Sequence, residues 1–353
     1  MDADPDAETV AERILTAALG TMDILAIHLG DRLGWYRSLA DGGPASSLEL
    51  AQRTGTSERY AREWLEQQAI TGLLAPVEDE GMRRFRIPEG AAEVLTDKDS
   101  LNYLAPLARM LAGAAVHLPA LRRSYQTGTG VGWSEFGADA RESQADMNRP
   151  WFERELATAL GATPALMSRL QAQSTTIADI GCGGGWSSMA LARIFPTARV
   201  RGFDLDLASV ELARANAIAA ESDVSFEHAD AADLPSAQFD AVFAFECIHD
   251  MPYPVDVLSA ARRALRPNGT VIVVDEAVAD EFAPPGDDLE RIMYGFSLLI
   301  CLPDAMAHPG SAGTGTVMRA DTLRRYALDA GFGDVGVLPI DGFGFFRFYE
   351  LVP

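Results

Sequence analysis

The stretch Ile177-Ala178-Asp179-Ile180-Gly181-Cys182-Gly183-Gly184-Gly185-Trp186 determines how the second half of the chain folds. It begins as a short apolar run with one carboxylate and continues with glycines at alternate positions. A segment with helical character, Ser187 to Phe195, follows. Glycines accept a positive φ and let a ligand approach the main chain closely. The pattern therefore predicts a strand, a tight turn and a helix.

A second carboxylate follows at a distance that is typical of a βαβ unit. Asp204 closes the next apolar run, Arg199 to Asp204, roughly 20 residues after the glycines. A carboxylate at the end of such a second strand can bind ribose hydroxyls. An alternative role for Asp204 is the N-cap of a helix that begins near Leu207, although Asp206 is the better candidate for that cap.

The glycine spacing distinguishes between nucleotide types. A dinucleotide fingerprint has a small residue at its sixth position, which Trp186 occupies here. The observed form, D-x-G-x-G-x-G from Asp179 to Gly185, resembles motif I of class I S-adenosylmethionine-dependent methyltransferases. The resemblance implies S-adenosyl-L-methionine as cofactor and S-adenosyl-L-homocysteine as its product. A glycine-rich turn without a ligand is the alternative.

Strands and helices alternate from residue 171 to the end, which predicts an α/β fold. The resemblance implies a Rossmann-like, seven-stranded methyltransferase sheet over 171–353. The alternation breaks between Val278 and Pro309, which predicts a helical insertion at about 280–309. The last two strands, Asp334 to Ile340 and Phe343 to Leu351, are predicted to form a hairpin through Asp341-Gly342.

The resemblance also assigns cofactor contacts to residues at the ends of the predicted strands. Asp204 is expected to bind the ribose, Asp230 the adenine amino group, and Asp179 the ammonium group. The remaining cofactor candidates, which offer close approach or a backbone or carboxylate contact, are Gly181, Gly183, Gly185, Ala231 and Glu246.

The fourth predicted strand ends in Glu246-Cys247-Ile248-His249-Asp250-Met251-Pro252. This segment is similar to one in plant and antibiotic-pathway small-molecule O-methyltransferases that contains a His-Asp pair. The resemblance implies that His249 is the general base and that Asp275 orients it, with Glu276 as the fallback. No metal is expected, since direct displacement of the sulfonium methyl group does not require one. Met251 replaces the tryptophan of the plant pattern, so the acceptor class is not transferred. The alternatives are a structural His249 at a helix start and catalysis by proximity alone.

The first 100 residues follow the plan helix, turn, helix, hairpin, which indicates a winged helix. A long helical region covers 8–36, as a helix pair or one broken helix. Ser46 to Glu49 fits a capping box, and the hairpin turn is expected at Glu78 to Gly81. The second helix, Ser57 to Leu74, has more glutamate than arginine, which disfavours DNA binding. A dimerisation or substrate-covering role is the preferred interpretation.

Residues 101–170 are predicted to be a helical linker and lid region, and the glycine-rich stretch Gly128 to Trp133 is either a mobile lid or a plain linker. The bacterial and plant enzymes of the resembling family that carry a winged-helix domain are dimers, so a homodimer is expected.

Composition excludes several classes of protein. The 353 residues carry a formal net charge of −22, which argues against nucleic acid as a partner. Cys182, Cys247 and Cys301 form no CxxC pair, so a zinc site is not predicted. The acidic start, Met1 to Asp6, is unlike a signal peptide, and no apolar run reaches the ~18 residues of a membrane span. A cytoplasmic protein is expected.

Together these patterns predict a methyltransferase that acts on a small-molecule acceptor, with oxygen preferred over nitrogen or carbon because of His249. The alternative from another class is a transcription regulator that senses S-adenosylmethionine through this domain. A third interpretation retains the cofactor but uses it for a different reaction.

Overall fold

The computed structural model describes residues 4–79, 81–171 and 174–353. It contains two compact units, Met1–Gly113 and Ala114–Pro353. The domain boundaries predicted near residues 100 and 170 stay predictions. The acidic start of the chain lies partly outside the described residues. Among the described residues, no helix combines the length and the apolar character that a bilayer crossing requires.

The first unit is mainly helical. Its elements are α1 (Ala7–Arg32), α2 (Trp35–Gly42), α3 (Ser47–Thr54), α4 (Glu58–Ile70), β1 (Ala75–Asp79), β2 (Met82–Arg86), α5 (Glu89–Thr96) and the start of α6 (Ala105–Val116). The helical region predicted over 8–36 is a helix pair, namely α1 followed by the start of α2, and Asp6 caps α1 through the Thr9 N–H. Gly20 and Gly30 lie inside α1, and the chain turns at Gly34, which has a φ of 68°.

The predicted winged-helix plan is present in α3, α4 and the antiparallel pair β1 and β2. Ser46 forms the expected capping box with Glu49. The core of this unit contains Trp35, Tyr36 and Trp64. The predicted hairpin turn includes Glu80, which lies outside the described residues.

The second unit is an α/β sheet domain preceded by helices. Its helices are the end of α6, α7 (Leu118–Thr127), α8 (Trp133–Arg154), α9 (Leu156–Gly161), α10 (Pro164–Leu170), α11 (Trp186–Ile194), α12 (Leu207–Ala219), α13 (Pro254–Ala264), α14 (Asp288–Phe296), α15 (Leu302–Met306) and α16 (Ala320–Asp329). Its strands are β3 (Thr176–Ile180), β4 (Arg199–Asp204), β5 (Ser225–His228), β6 (Phe239–Phe245), β7 (Leu265–Glu276), β8 (Asp334–Val337) and β9 (Phe346–Val352). A 3-10 turn covers Ala231–Asp233 and a π-helical turn covers Ser297–Cys301.

The seven strands form one sheet in the order β5-β4-β3-β6-β7-β9-β8. The first five strands in this order are parallel, and β9 runs antiparallel to both β7 and β8. Separate apolar clusters cover the two faces, as a buried parallel sheet requires. Strand order reverses beside β3, and in such sheets ligands bind outside the carboxyl ends of the strands at this switch point.

The predicted hairpin at the end of the chain is only partly correct. β8 and β9 do pair antiparallel, but β8 ends at Val337 and β9 begins at Phe346. The chain between them is longer than the two-residue turn that Asp341-Gly342 suggested. Ile340 and Phe343 are buried in the core cluster on one face of the sheet. Their apolar character therefore reflects loop packing rather than strand pairing.

Candidate active site

The turn after β3 brings the main chain close to its neighbours. Gly181 has a φ of 63°, and a Cβ there would lie 2.7 Å from Cys247 Cβ. Gly185 has a φ of 82° and lies against Phe226, whose ring carbon would be 2.6 Å from an added Cβ. Both positions require glycine because of backbone conformation and packing. The predicted cofactor contacts of Gly181 and Gly185 stay predictions.

Asp179 lies at the end of β3 with no exposed surface. Its Oδ2 accepts hydrogen bonds from the hydroxyls of Ser187 at 2.6 Å and Ser188 at 2.5 Å, which belong to the first turn of α11. Its Oδ1 is buried and accepts no hydrogen bond within the described part of the chain. Burial raises the pKa of Asp179 to about 6, although the two serine hydroxyls act in the opposite direction.

Asp204 lies at the end of β4, next to the glycine turn. Its Oδ2 accepts the Gly183 N–H at 2.8 Å and its Oδ1 accepts the Asp206 N–H at 2.8 Å. Burial raises the pKa of Asp204, against these two backbone hydrogen bonds. Asp206, rather than Asp204, caps α12 through the Ser209 N–H at 2.9 Å, as predicted. Asp204 is therefore not needed for the cap.

The other predicted cofactor residues lie at the ends of β5 and β6. Asp230 is exposed and accepts the Ala232 N–H at 2.8 Å, and Ala231 is buried. Glu246 follows β6 with a φ of 49° and accepts a hydrogen bond from Gln144 Nε2 at 3.1 Å. Burial raises the pKa of Glu246 to about 8.

The predicted catalytic residues meet around His249, which is 2% exposed. Its Nδ1 lies 2.9 Å from Asp275 Oδ1 and 3.3 Å from Glu276 Oε2, so the structure brings both candidate partners to the same ring atom. The opposite ring atom, Nε2, lies 3.1 Å from Oδ1 of Asp250, which the sequence did not assign a role. Cys301, at the end of the π-helical turn, also lies beside His249.

The electrostatics of this cluster favour a bound proton. Burial alone would lower the pKa of His249, but the nearby carboxylates of Asp250, Asp275 and Glu276 outweigh it and raise the pKa well above its usual range. Burial likewise raises the pKa of Glu276. A base at this position must first lose the proton that the surrounding carboxylates help to retain.

The glycine-rich stretch Gly128 to Trp133 contacts the predicted helical insertion. The Val131 N–H donates to Pro303 O at 3.0 Å, and the Trp133 N–H donates to Asp304 Oδ1 at 2.7 Å. Burial raises the pKa of Asp304 to about 7. Sequence reasoning missed Asp250, Cys301 and Asp304. The only available signal was that Asp250 directly follows His249.

Comparison with known proteins matches a family model to one segment of each unit. Residues 178–273 match the family model described as "Methyltransferase domain". Residues 178–273 form a methyltransferase domain. Residues 20–97 match the model "Rv2258c-like winged HTH domain". The predicted family and enzyme class, a methyltransferase with an N-terminal winged helix, are confirmed.

Two curated relatives align with part of the chain. The 27-O-demethylrifamycin SV methyltransferase of Amycolatopsis mediterranei is 32% identical over 180 residues, 48% of this chain and 66% of the relative. A ubiquinone biosynthesis O-methyltransferase of Alkalilimnicola ehrlichii is 34% identical over 99 residues, 27% of this chain and 39% of the relative. The chain thus spans less than two thirds of the length of each.

Solved structures match the methyltransferase domain together with the N-terminal unit. The mitomycin 7-O-methyltransferase MmcR has a TM-score of 0.70 at 20% identity, covering 98% of both chains. Human N-acetylserotonin methyltransferase, solved in complex with SAM, has a TM-score of 0.73 at 17% identity, covering 100% of this chain and 99% of that chain. At these identities the likeness confirms the predicted fold class and no more.

Proposed function

We propose that this protein transfers the methyl group of S-adenosyl-L-methionine to an oxygen of a small-molecule acceptor. The observation that carries the proposal is the pair of carboxylates, Asp179 and Asp204, at adjacent strand ends of a methyltransferase domain. The cofactor is S-adenosyl-L-methionine, as expected for this domain. It supplies an electrophilic methyl group on a sulfonium.

The residues at the strand ends fit this cofactor. Asp204 retains acceptor capacity beyond its two backbone hydrogen bonds, because a carboxylate offers about four lone-pair sites. Two ribose hydroxyls can use the remainder. Asp179 Oδ1 is buried without a hydrogen-bond partner in the described residues, which suits an ammonium group reached directly or through water. Asp230, at the end of β5, is assigned to the adenine amino group.

His249 is the proposed general base. Its Nδ1 is oriented by Asp275. Once Nε2 has given up the proton that the nearby carboxylates help to retain, it can accept the proton of the acceptor oxygen as the new bond forms. Glu276 supports the same ring atom from 3.3 Å. Positioning of the acceptor in line with the methyl group supplies the rest of the rate enhancement. Methyl transfer to nitrogen or carbon is the alternative, and the position of the label in the product distinguishes the three.

The test uses the full chain with methyl-labelled S-adenosyl-L-methionine and a small-molecule extract of its host. Label is expected in an apolar product, and alkaline or acid cleavage of that product distinguishes an O-methyl from an N-methyl group. Cofactor binding, measured by calorimetry, is a separate readout. Tight cofactor binding without any labelled product would contradict the proposal and support the regulator.

The regulator alternative gains no support from α4, the second helix of the winged-helix plan. In α4, Arg59 pairs with Glu63 at 2.5 Å and Arg62 pairs with Glu58 at 2.7 Å, so both cations of this helix are neutralised within it. DNA binding requires cations that contact phosphate. A substrate-covering or dimerisation role is the better assignment for this unit.

We also propose a homodimer that forms through α1. This helix exposes a series of large apolar side chains, namely Val10, Ile14, Leu15, Leu19, Met22, Leu25 and Leu29. An apolar face of this length is typical of a surface that a partner covers. A second copy is the proposed partner, as in the resembling enzymes. The cytoplasmic location stays a prediction.

Light scattering at about 10 µM tests the dimer, a concentration far above the nanomolar dissociation constants of stable dimers. The wild type is expected at twice the mass of one chain. Leu19→Asp is expected to yield monomers, because it places a charge within the apolar face. Ile218→Asp, which changes a side chain that is 81% exposed on α12, is the matched control and should remain dimeric. A monomeric wild type would overturn the proposal.

A further inference from the structure

Possible metal-binding atoms of three residues, His249, Asp250 and Cys301, lie close together. Asp250 Oδ1 lies 3.1 Å from Nε2. Sγ of Cys301 joins them, and the three atoms all lie within 4.8 Å of one another. Asp250 Oδ1 is buried and accepts no hydrogen bond from the residues that the structure describes. This carboxylate lies close enough to Nε2 to stabilise positive charge there, and a cation bound at the same place would be stabilised in the same way.

The ligand set suits a soft divalent cation. Nitrogen, carboxylate oxygen and sulfur are the three donors that Zn²⁺ binds in proteins, and a catalytic-type site has three protein ligands and one open position. Two ligand atoms 3.1 Å apart subtend about 100° at an ion placed about 2.0 Å from each, which is close to a tetrahedral angle. The sulfur ligand disfavours Mg²⁺ and Ca²⁺.

Two further features of the structure fit such a site. Nδ1 of His249 lies 2.9 Å from Asp275 Oδ1, and a metal-binding histidine almost always donates its other ring N–H to a carboxylate or carbonyl. Cys301 ends the π-helical turn Ser297–Cys301. Turns of this type are rare and are frequent at functional sites.

We propose that His249 Nε2, Asp250 and Cys301 form a Zn²⁺ site, and that the bound ion blocks methyl transfer. Binding exchanges the protons on Nε2 and Sγ for one Zn²⁺ and releases them to water. The ion then occupies the lone pair that the general base needs. Only this inhibitory consequence rests on the proposed function; the binding itself does not.

The experiment is equilibrium dialysis of the chelator-treated full chain against Zn²⁺, with Co²⁺ as a spectroscopic substitute. The wild type is expected to bind one ion per chain at the site and to show a thiolate-to-cobalt absorption band. Cys301→Ser is expected to weaken binding by at least roughly tenfold and to lose the band. Circular dichroism verifies that each variant is folded.

Cys247→Ser is the matched control, because its thiol belongs to the same loop as His249 but donates to Ile180 O at 3.3 Å. It is expected to retain both the bound ion and the band. No bound Zn²⁺, or equal affinity in Cys301→Ser, would overturn the site. Zn²⁺ that binds without slowing methyl transfer would overturn the inhibition. Absence of methyl transfer in zinc-free protein would instead contradict the proposed function.

Discussion

The carboxyl ends of two strand pairs both hold buried carboxylates, but the charges are compensated differently. At β3 and β4, the hydrogen bonds that Asp179 and Asp204 receive from described residues come from neutral groups, namely the hydroxyls of α11 and two backbone N–H groups. At β6 and β7, the carboxylates surround the imidazole of His249.

This difference separates a binding role from a chemical one. Neutral donors leave a net negative charge at β3 and β4, which favours a ligand that brings a cation and hydroxyl donors. The second group already contains an ionisable partner whose proton can move. We therefore propose that Asp179 and Asp204 govern cofactor affinity and stability, and that His249 and its carboxylates govern turnover.

The largest expected effect is on kcat, at the cluster of His249 and its carboxylates beside β6 and β7. His249→Ala is expected to lower kcat by roughly 10²- to 10⁴-fold, the usual contribution of a positioned general base, while cofactor affinity is retained. Steady-state kinetics and calorimetry measure the two quantities. His308→Ala, which changes an exposed histidine, is the control. An unchanged kcat in His249→Ala would leave proximity as the source of catalysis.

The next effect concerns the stability of the cofactor-free protein. The pKa of Asp179 is about 6 in the folded chain and about 3.8 in the absence of burial, so the folded state binds this proton more tightly. Stability is therefore retained below about pH 4 and lost as the pH rises through about 6. At neutral pH the loss is on the order of 2 to 3 kcal/mol, since one pKa unit is about 1.4 kcal/mol.

Asp179→Asn removes this buried charge while retaining an oxygen for the hydroxyls of α11. Urea unfolding at pH 4 and pH 7 is expected to show less loss of stability in the variant than in the wild type. Cofactor affinity is expected to fall in the same variant, because the ammonium group loses its anion. Parallel stability changes in the two proteins would contradict an ionised Asp179.

The smallest of the three effects is on cofactor affinity, and it tests the binding role of the Asp179 and Asp204 pair. Asp204→Asn is expected to weaken cofactor binding by roughly tenfold to a hundredfold, since hydrogen bonds to a charged acceptor contribute about 1.5 to 3 kcal/mol. At saturating cofactor, kcat is expected to stay close to the wild-type value. Asp233→Asn, in the 3-10 turn after β5, is the control. A large loss of kcat with normal cofactor affinity would instead give Asp204 a role in turnover, like that of His249 and its carboxylates.

Features set by local backbone chemistry could be predicted from the sequence. The glycine turn, the strand ends at Ile180, Asp204 and Phe245, and the Asp206 cap all depend on a few neighbouring residues. The position of His249 beside Asp275 was implied by the resemblance.

Contacts between distant segments could not be predicted. Cys301 reaches His249 through a π-helical turn, which leaves no clear sequence pattern. The bonds from Ser187 and Ser188 to Asp179 are more local, since α11 begins at Trp186 soon after β3 ends at Ile180, but the sequence pattern did not indicate which side chains would face the carboxylate. The final hairpin was wrong in its boundaries because buried loop residues, Ile340 and Phe343, have the same apolar character as strand residues.

The contact between Gly130 and the insertion limits how this enzyme can be redesigned. A Cβ at Gly130 would lie 2.1 Å from both Ala307 N and Pro303 O, so the two main chains touch without any side chain between them. Tyr125 adds a hydrogen bond from its hydroxyl to Leu298 O at 2.9 Å. The two segments therefore form one exchangeable module. A chimera that takes a new insertion from a relative must take the matching glycine-rich segment with it.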